Sequence, residues 1–377
     1  MHKNRLQHLL RPQHYVEPEH YASELQALFR PSWQFIASVK ELESPGDFIT
    51  ADLFDVPVLV RNFDGQHKAF VNVCPHRHSM LTCEASGNTL QLKCQYHGWQ
   101  FQSDGRTAKI PEAKAFRPWD RENACLTSIR LERCGDLLFA TLDANLPSLQ
   151  DWLGEHFNTV AAGFSHPWWR MAEVWDFDAP CNWKVVIENT LESYHVGEVH
   201  PTWMGGQLPA EQNAVHELDD RYTMLRYSDH VGLQARAVRV CQHLGGTPID
   251  GYWHLHIHPN LVFVFNDTFN YVASTRPTGP DRCRVQIRMF PLWPETRHPW
   301  KLCLRHGSWR IARRMMHQIF NEDRSVYEAQ QRGISRSPHP GVIGVREERI
   351  FQFQRYVCTG TGIEPELLPG EHAPRLV

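Results

Sequence analysis

The sequence predicts an α+β protein of two domains, on three observations. Short β-rich runs crowd between Gly46 and about Asp143, longer strands with Pro-Gly turns recur beyond residue 165, and a helical stripe from about Lys301 to Gly333 follows them. A chain of 377 residues also exceeds one average domain. Taken in order, residues 17–30 (EPEHYASELQALFR) place Tyr21, Leu25, Leu28 and Phe29 at helical spacing ahead of Pro31. This predicts an amphipathic N-terminal helix (1–32) that packs on another domain. DFITADLF and VPVLVRNF, then Asp64-Gly65 as a turn, then KAFVNV read as a small antiparallel β domain. Asp104-Gly105 marks another turn, and RLERCGDLLFATLD closes the region near Pro147. The expected boundaries are 33–148 for this domain and 149–377 for the next.

In the second domain WRMAEVWDFDAP reads as a strand leading into a helix from Asn182 to about Tyr194, with Trp183, Val186 or Ile187, Thr190 or Leu191 and Tyr194 as its stripe. Strands are expected at RYTMLRYS, YWHLHIH, NLVFVFND and CRVQIRMF, with a turn at Pro277 to Pro280. An antiparallel sheet with helices grouped against it results.

A formal charge of -3, with 42% hydrophobic and 21% charged residues, leaves no electrostatic footprint for nucleic acid. There is no signal-peptide-like apolar run and no stretch of eighteen uncharged apolar residues, so neither export nor a membrane is expected and the location reads as cytoplasmic. Eight of the ten cysteines are scattered without regular spacing and read as reduced and mostly buried.

The other two cysteines sit in a pattern. Cys74-Pro-His76 and Cys94-x-x-His97-Gly-Trp each offer one thiolate and one imidazole. Structural zinc sites usually pair cysteines with cysteines and histidines with histidines, so a zinc site fits poorly. A [2Fe–2S] cluster with one iron on two thiolates and the other on two imidazoles fits the mixture, and neutral imidazoles raise its potential.

A second set lies further on. His195 and His200 are five apart, about 140° around an ideal helix, so one unbroken helix cannot aim both at one ion; Gly197 offers a break. Glu192 stands three before His195, on its face. In RRMMHQIFNEDRSVYEAQQRG the apolar stripe runs Met316, Ile319 or Phe320, position 323, then Val326 or Tyr327, so Asp323 occupies the buried face while Glu322 and Arg324 fall on the polar side. Buried carboxylates need a partner or a metal. Two histidines and one carboxylate leave positions open on Fe(II) for oxygen.

CPHRHSML and CQYHGWQF, together with NWKVVIENTLESYHVGEVH, resemble the motifs of the Rieske non-haem iron oxygenases, the aromatic ring-hydroxylating family, in their large (alpha) subunit. The resemblance covers about Phe35 to Gly333. It implies an antiparallel Rieske domain and a helix-grip (START-like) catalytic domain. It implies Cys74, His76, Cys94 and His97 as cluster ligands, with His78 no ligand, and His195, His200 and Asp323 as ligands of mononuclear Fe(II). Glu192, where the family usually has aspartate, is then the inter-subunit electron bridge toward the partner subunit's His97 in a homotrimer, with Asn189 of the same motif a candidate catalytic residue. Similar glutamates occur in relatives acting on quaternary ammonium compounds. No nucleotide-binding glycine motif opens a helix, so NAD(P)H electrons are expected through a separate flavin or ferredoxin-type reductase. The substrate reads as an aromatic or related small organic molecule oxygenated with O2, the alternative being a carnitine, betaine or choline type compound. Trp203, Trp253, Phe263, Phe265 and Tyr271 are candidates to line its pocket, or plain core. A Rieske electron carrier or redox sensor without oxygenase activity is the reading from another class.

Overall fold

The computed structural model describes residues 7–116, 124–165, 167–204, 214–228, 232–249 and 251–365. Two compact units divide the chain: Arg30–Ala161, and the residues up to Phe29 together with those from Ala162 onward. The first helix, α1 (Pro18–Glu24), thus belongs with the second unit.

The Arg30–Ala161 unit holds β1 (Gln34–Ser38), β2 (Asp47–Leu53), β3 (Val56–Phe63), β4 (Gln66–Val71), β5 (Ser86–Asn88), β6 (Leu92–Lys93), β7 (Gln100–Phe101), β8 (Thr107–Lys109), β9 (Ser128–Cys134) and β10 (Leu137–Thr141). Its main sheet runs β1-β10-β9-β4-β3-β2-β5 and a small sheet runs β6-β7-β8. Alternation along β3 buries both faces: Val58 and Val60 join one apolar cluster with Ile36, Ile49 and Leu138, whereas Leu59 joins another with Phe48, Phe70, Trp99 and Phe101. Cys74 and Cys94 lie in that second cluster. The unit ends later than residue 148, because α2 (Leu149–Leu153) buries Leu149 and Leu153 and the Leu149 N–H donates to Glu132 Oε2 at 2.8 Å. At the start of α3 (Phe157–Gly163) the Phe157 carbonyl accepts from the Cys134 thiol.

The second unit contains β11 (Glu173–Ala179), α4 (Trp183–Leu191), α5 (Val196–Val199), α6 (Pro201–Met204), β12 (Ala214–Leu218), β13 (Tyr222–Tyr227), α7 (Gly232–Leu244), β14 (Tyr252–Ile257), β15 (Leu261–Phe265), β16 (Phe269–Gly279), β17 (Arg282–Pro291), α8 (Pro299–Ile334) and α9 (Glu348–Thr361). The strands form one antiparallel sheet, β11-β17-β16-β15-β14-β13-β12. The expected turn at Pro277 to Pro280 is partly strand: Pro277 pairs with Cys283 and Gly279 with Arg282 across a bulge, which tolerates a proline without a ladder N–H. α4 stops at Leu191 rather than Tyr194, because Glu192 is extended (φ -127°, ψ 167°).

Buried polar groups fasten α4. Lys184, fully buried, donates to Glu24 Oε1 of α1 at 2.6 Å, and the Trp183 indole N–H donates to Glu24 Oε2 at 2.7 Å. Tyr15 donates its hydroxyl to Glu188 Oε1 at 2.6 Å. A charge pair out of water persists only when fully hydrogen-bonded in this way.

Candidate metal centres

Two loops with one backbone design carry the first set. In each, the cysteine N–H donates to the carbonyl five residues on (Cys74 to Ser79, Cys94 to Trp99, both 2.8 Å), and the N–H four residues on returns to the cysteine carbonyl (His78 to Cys74, Gly98 to Cys94, both 3.0 Å). Such a turn needs a left-handed residue at the fourth step, and His78 (φ 57°) and Gly98 (φ 72°) supply it. His78 is therefore a turn residue, and it is exposed.

Both thiols are 2% exposed, whereas His76 is half-buried and His97 exposed. The two imidazoles meet at 4.7 Å between centroids, and Trp99 stacks on His76 at 4.8 Å and 5°. Burial pushes the Cys74 thiol up to about 11, opposed by a backbone hydrogen bond at His76 and reinforced by the Cys94 thiol beside it. Two thiolates side by side in an apolar cluster need cations. Among the described residues, these four donors do not gather within 4.8 Å of one another, as ligands of one tetrahedral zinc would. A dinuclear cluster, thiols inward and imidazoles outward, fits them.

The second set converges on a point. Ligand atoms of His195, His200 and Asp323 all lie within 4.8 Å of one another. His195 precedes α5 and His200 follows it as the non-helical C-cap (φ -117°, ψ 49°), so one helical turn separates two rings whose centroids are 5.3 Å apart. The break falls at these ends, and Gly197 is helical, contrary to the expectation that it would interrupt the helix. Asp323 lies on the buried stripe of α8 with Met316, Ile319 and Tyr327. Its Oδ1 stands 3.1 Å from His200 Nε2 and 3.5 Å from His195 Nε2, is buried, and has no hydrogen-bond partner. A carboxylate oxygen stranded between two imidazole nitrogens is what a divalent cation satisfies.

Each imidazole is held from behind by a carboxylate. His195 Nδ1 bonds Glu192 Oε1, and Glu192 Oε2 accepts from the backbone N–H groups of Tyr194 and His195. His200 Nδ1 bonds Glu322 Oε2 at 2.8 Å; Gln318 donates to Glu322 Oε1 at 2.7 Å and accepts from the Trp203 indole at 2.9 Å. Such partners fix tautomer and orientation, leaving both Nε2 atoms for metal. Glu322 was expected on the polar side of α8; it is half-buried, adjacent to the stripe rather than opposite it. Burial lowers the His200 pKa, but the Asp323 and Glu322 carboxylates outweigh it and hold the ring above its ordinary value. Asn189 is half-buried on the last turns of α4.

Strand register divides the aromatic candidates. Tyr271 pairs with Val264, so Phe263 and Phe265 point to the opposite face, and Trp253 pairs with Phe265. Phe263 and Phe265 pack edge-on to Phe164 and are core; Trp253 lies beneath Arg226. Tyr271 shares the face of α8, with Phe320 at 5.6 Å and a hydrogen bond to Tyr252, which the sequence did not single out. Trp203 spends its N–H on Gln318.

The family model "Ring hydroxylating alpha subunit (catalytic domain)" matches residues 168–359, and "Rieske [2Fe-2S] domain" matches residues 32–127. The chain belongs to the ring-hydroxylating alpha-subunit family. These two domains imply a [2Fe–2S] cluster and a mononuclear iron, which the two donor sets fit. Over 183 residues the chain is 32% identical to the carnitine monooxygenase oxygenase subunit of Acinetobacter baumannii, covering 47% of this chain and 48% of that one. Over 189 residues it is 32% identical to the large oxygenase component of the naphthalene 1,2-dioxygenase system of a Ralstonia species, covering 47% and 41%. The chain thus matches about half or less of the length of these curated relatives. A crystal structure of a quaternary ammonium Rieske monooxygenase with L-carnitine shares the fold, with a TM-score of 0.74, 21% identity and coverage of 94% of this chain and 95% of that one. Among the described residues no helix is long and apolar enough to cross a membrane.

Proposed function

We propose that this chain is the oxygenase component of a Rieske system that oxygenates an aromatic or related small organic substrate with O2 and electrons from a separate flavin or ferredoxin-type reductase. The convergence of His195, His200 and Asp323 carries this reading, because an electron carrier has no use for it. When bound, the cluster supplies electrons and the mononuclear iron activates dioxygen. The chain's own residues hold the imidazoles (Glu192, Glu322), exclude water (Tyr271, Phe320, Tyr327) and shape the substrate space. In this reading Glu192 also relays electrons from the partner subunit's His97 within a homotrimer. The ten cysteines form no disulfide among the described residues, which suits a reducing cytoplasm.

Similarity to a carnitine monooxygenase subunit favours a second reading, demethylation or monooxygenation of a quaternary ammonium compound. Tyr252, Tyr271 and Phe320 suit either substrate, since aromatic faces attract trimethylammonium as well as arenes. The test is anaerobic purification followed by reductase-coupled O2 consumption with a benzoate panel and with carnitine, betaine and choline. Reddish-brown protein with about three irons per chain and substrate-dependent product is expected. Colourless, zinc-containing protein, or brown protein that turns over no O2, would sink the reading.

A further inference from the structure

Different devices back the two imidazoles of the second donor set. His195 leans on Glu192, whose other oxygen takes two backbone N–H groups. His200, buried, instead starts a chain of side chains. Its Nδ1 lies 2.8 Å from Glu322 Oε2, Gln318 Nε2 donates to Glu322 Oε1 at 2.7 Å, and the Trp203 indole N–H donates to Gln318 Oε1 at 2.9 Å. The chain closes on itself. Trp203 of α6 stands three residues after His200, and Gln318 stands four before Glu322, one turn along α8, so the last link returns to the segment that carries the first.

Every link has a direction, and the far end sets it. An indole N–H donates and never accepts, so Gln318 must turn its amide oxygen to Trp203 and its NH2 to Glu322. A carboxylate accepts on both sides, so Glu322 takes the Gln318 N–H on one oxygen and the His200 Nδ1–H on the other. The chain thus runs into Glu322 from both ends. The imidazole proton stays on Nδ1, and Nε2, 3.1 Å from Asp323 Oδ1, keeps its lone pair for a cation. Packing at position 203 needs only a flat ring; the direction of the chain needs the N–H.

We infer that Trp203 is a positioning residue for the metal site. Its N–H fixes the direction in which Gln318 faces Glu322, and so makes position 322 accept on both sides if His200 is to present Nε2 to a metal. The inference rests on the oxygenase reading for the identity of that metal.

Anaerobic chelator competition for Fe(II) at this site, on the full chain with its cluster in place, tests it. Trp203→Phe keeps a ring and removes the donor, and should weaken Fe(II) binding about fivefold, the worth of one net hydrogen bond. Glu322→Gln then separates direction from packing. With Trp203 in place Gln318 still presents its NH2, so the new amide turns its oxygen that way and its own NH2 to His200 Nδ1, which forces the imidazole proton onto Nε2. In Trp203→Phe/Glu322→Gln the Gln318 amide is free to turn over, the amide at 322 follows, and Nδ1 regains an acceptor. The double variant should therefore bind Fe(II) about threefold more tightly than Glu322→Gln alone, so that one substitution acts with opposite signs in the two backgrounds. Where Trp203→Phe fails to fold, 3-benzothienylalanine at 203, which has the shape of tryptophan without the N–H, takes its place. Weaker binding in both backgrounds, as packing alone requires, or an unchanged Fe(II) affinity in Trp203→Phe would overturn the inference and spare the oxygenase reading. An unaltered chain that binds no Fe(II) at the triad would end that reading and the inference with it.

Discussion

The two donor sets are built by opposite means. Cys74, His76, Cys94 and His97 sit on two turns of the same backbone design, each closed by its own hydrogen bonds, so the loops need little beyond themselves and the apolar cluster beneath. His195, His200 and Asp323 are brought together across more than a hundred residues: Glu192 backs His195 from three residues away, but His200 leans on Glu322 of α8, and Asp323 reaches the pair only because the buried stripe of α8 packs there. The first site is local, with His97 exposed and His76 half-buried. The second is a tertiary product. Damage should therefore stay contained in the first case and spread in the second.

Asp323→Ala gives the largest separation. Product formation should vanish and the iron count fall by one per chain, with the cluster's visible spectrum unchanged; loss of that spectrum would show that the sites are not independent. Next is the ion pair under α4, the helix that leads to His195. Lys184→Met leaves Glu24 buried and unpaired, which should cost about 3–5 kcal/mol in chemical denaturation. Glu24→Gln/Lys184→Met should recover much of it. A drop confined to the cluster spectrum would contradict this placement.

The same contrast governs what the sequence reveals. CPHRH and CQYHG are readable because a local turn puts its ligands at fixed spacing. Asp323 is readable because a carboxylate on an apolar stripe is chemically odd. Glu322 beside it is not, since one position along a helix shifts a side chain by 100° and only the partner, 122 residues away, says what it touches. Phe263, Phe265 and Trp253 lie on the face opposite Tyr271 for a related reason: alternation shows that a strand has two faces, but pairing with the neighbouring strand decides which face each residue shares with others. α7 went unrecognised, and α4 ended early because Glu192 gives its carboxylate to the backbone N–H groups that follow it.

Smaller effects sharpen the contrast. Glu322→Gln keeps the shape but removes the charge behind His200, and should weaken Fe(II) binding about 10–100-fold in chelator competition. Glu192→Gln should do the same, and slow single-turnover reduction of the second iron as well if it also relays electrons. Acid adds a third asymmetry. Burial lowers His254 and His256 well below their ordinary range and His258 to about 3. Unfolded histidines bind protons below about pH 6.5 while these do not, so the unfolded state takes up more protons and stability falls as pH drops from there toward 3, by about 1.4 kcal/mol per pH unit for each. Unfolding of the second unit followed against pH should show that slope; a flat profile would mean the histidines are accessible.

The smallest effect compares the two turns with each other. His78 and Gly98 hold one left-handed position in equivalent loops, one with a side chain and one without. A non-glycine residue there carries about 1 kcal/mol of strain, partly offset by the extra freedom glycine has when unfolded. His78→Gly should therefore change stability by less than about 1 kcal/mol and leave the cluster spectrum intact. Gly98→Ala should be the worse change, because its Cβ would stand 3.0 Å from Lys93 Cε at φ 72°, next to His97. If His78→Gly bleached the cluster instead, the imidazole would be a ligand, and the equivalence of the two turns would be wrong.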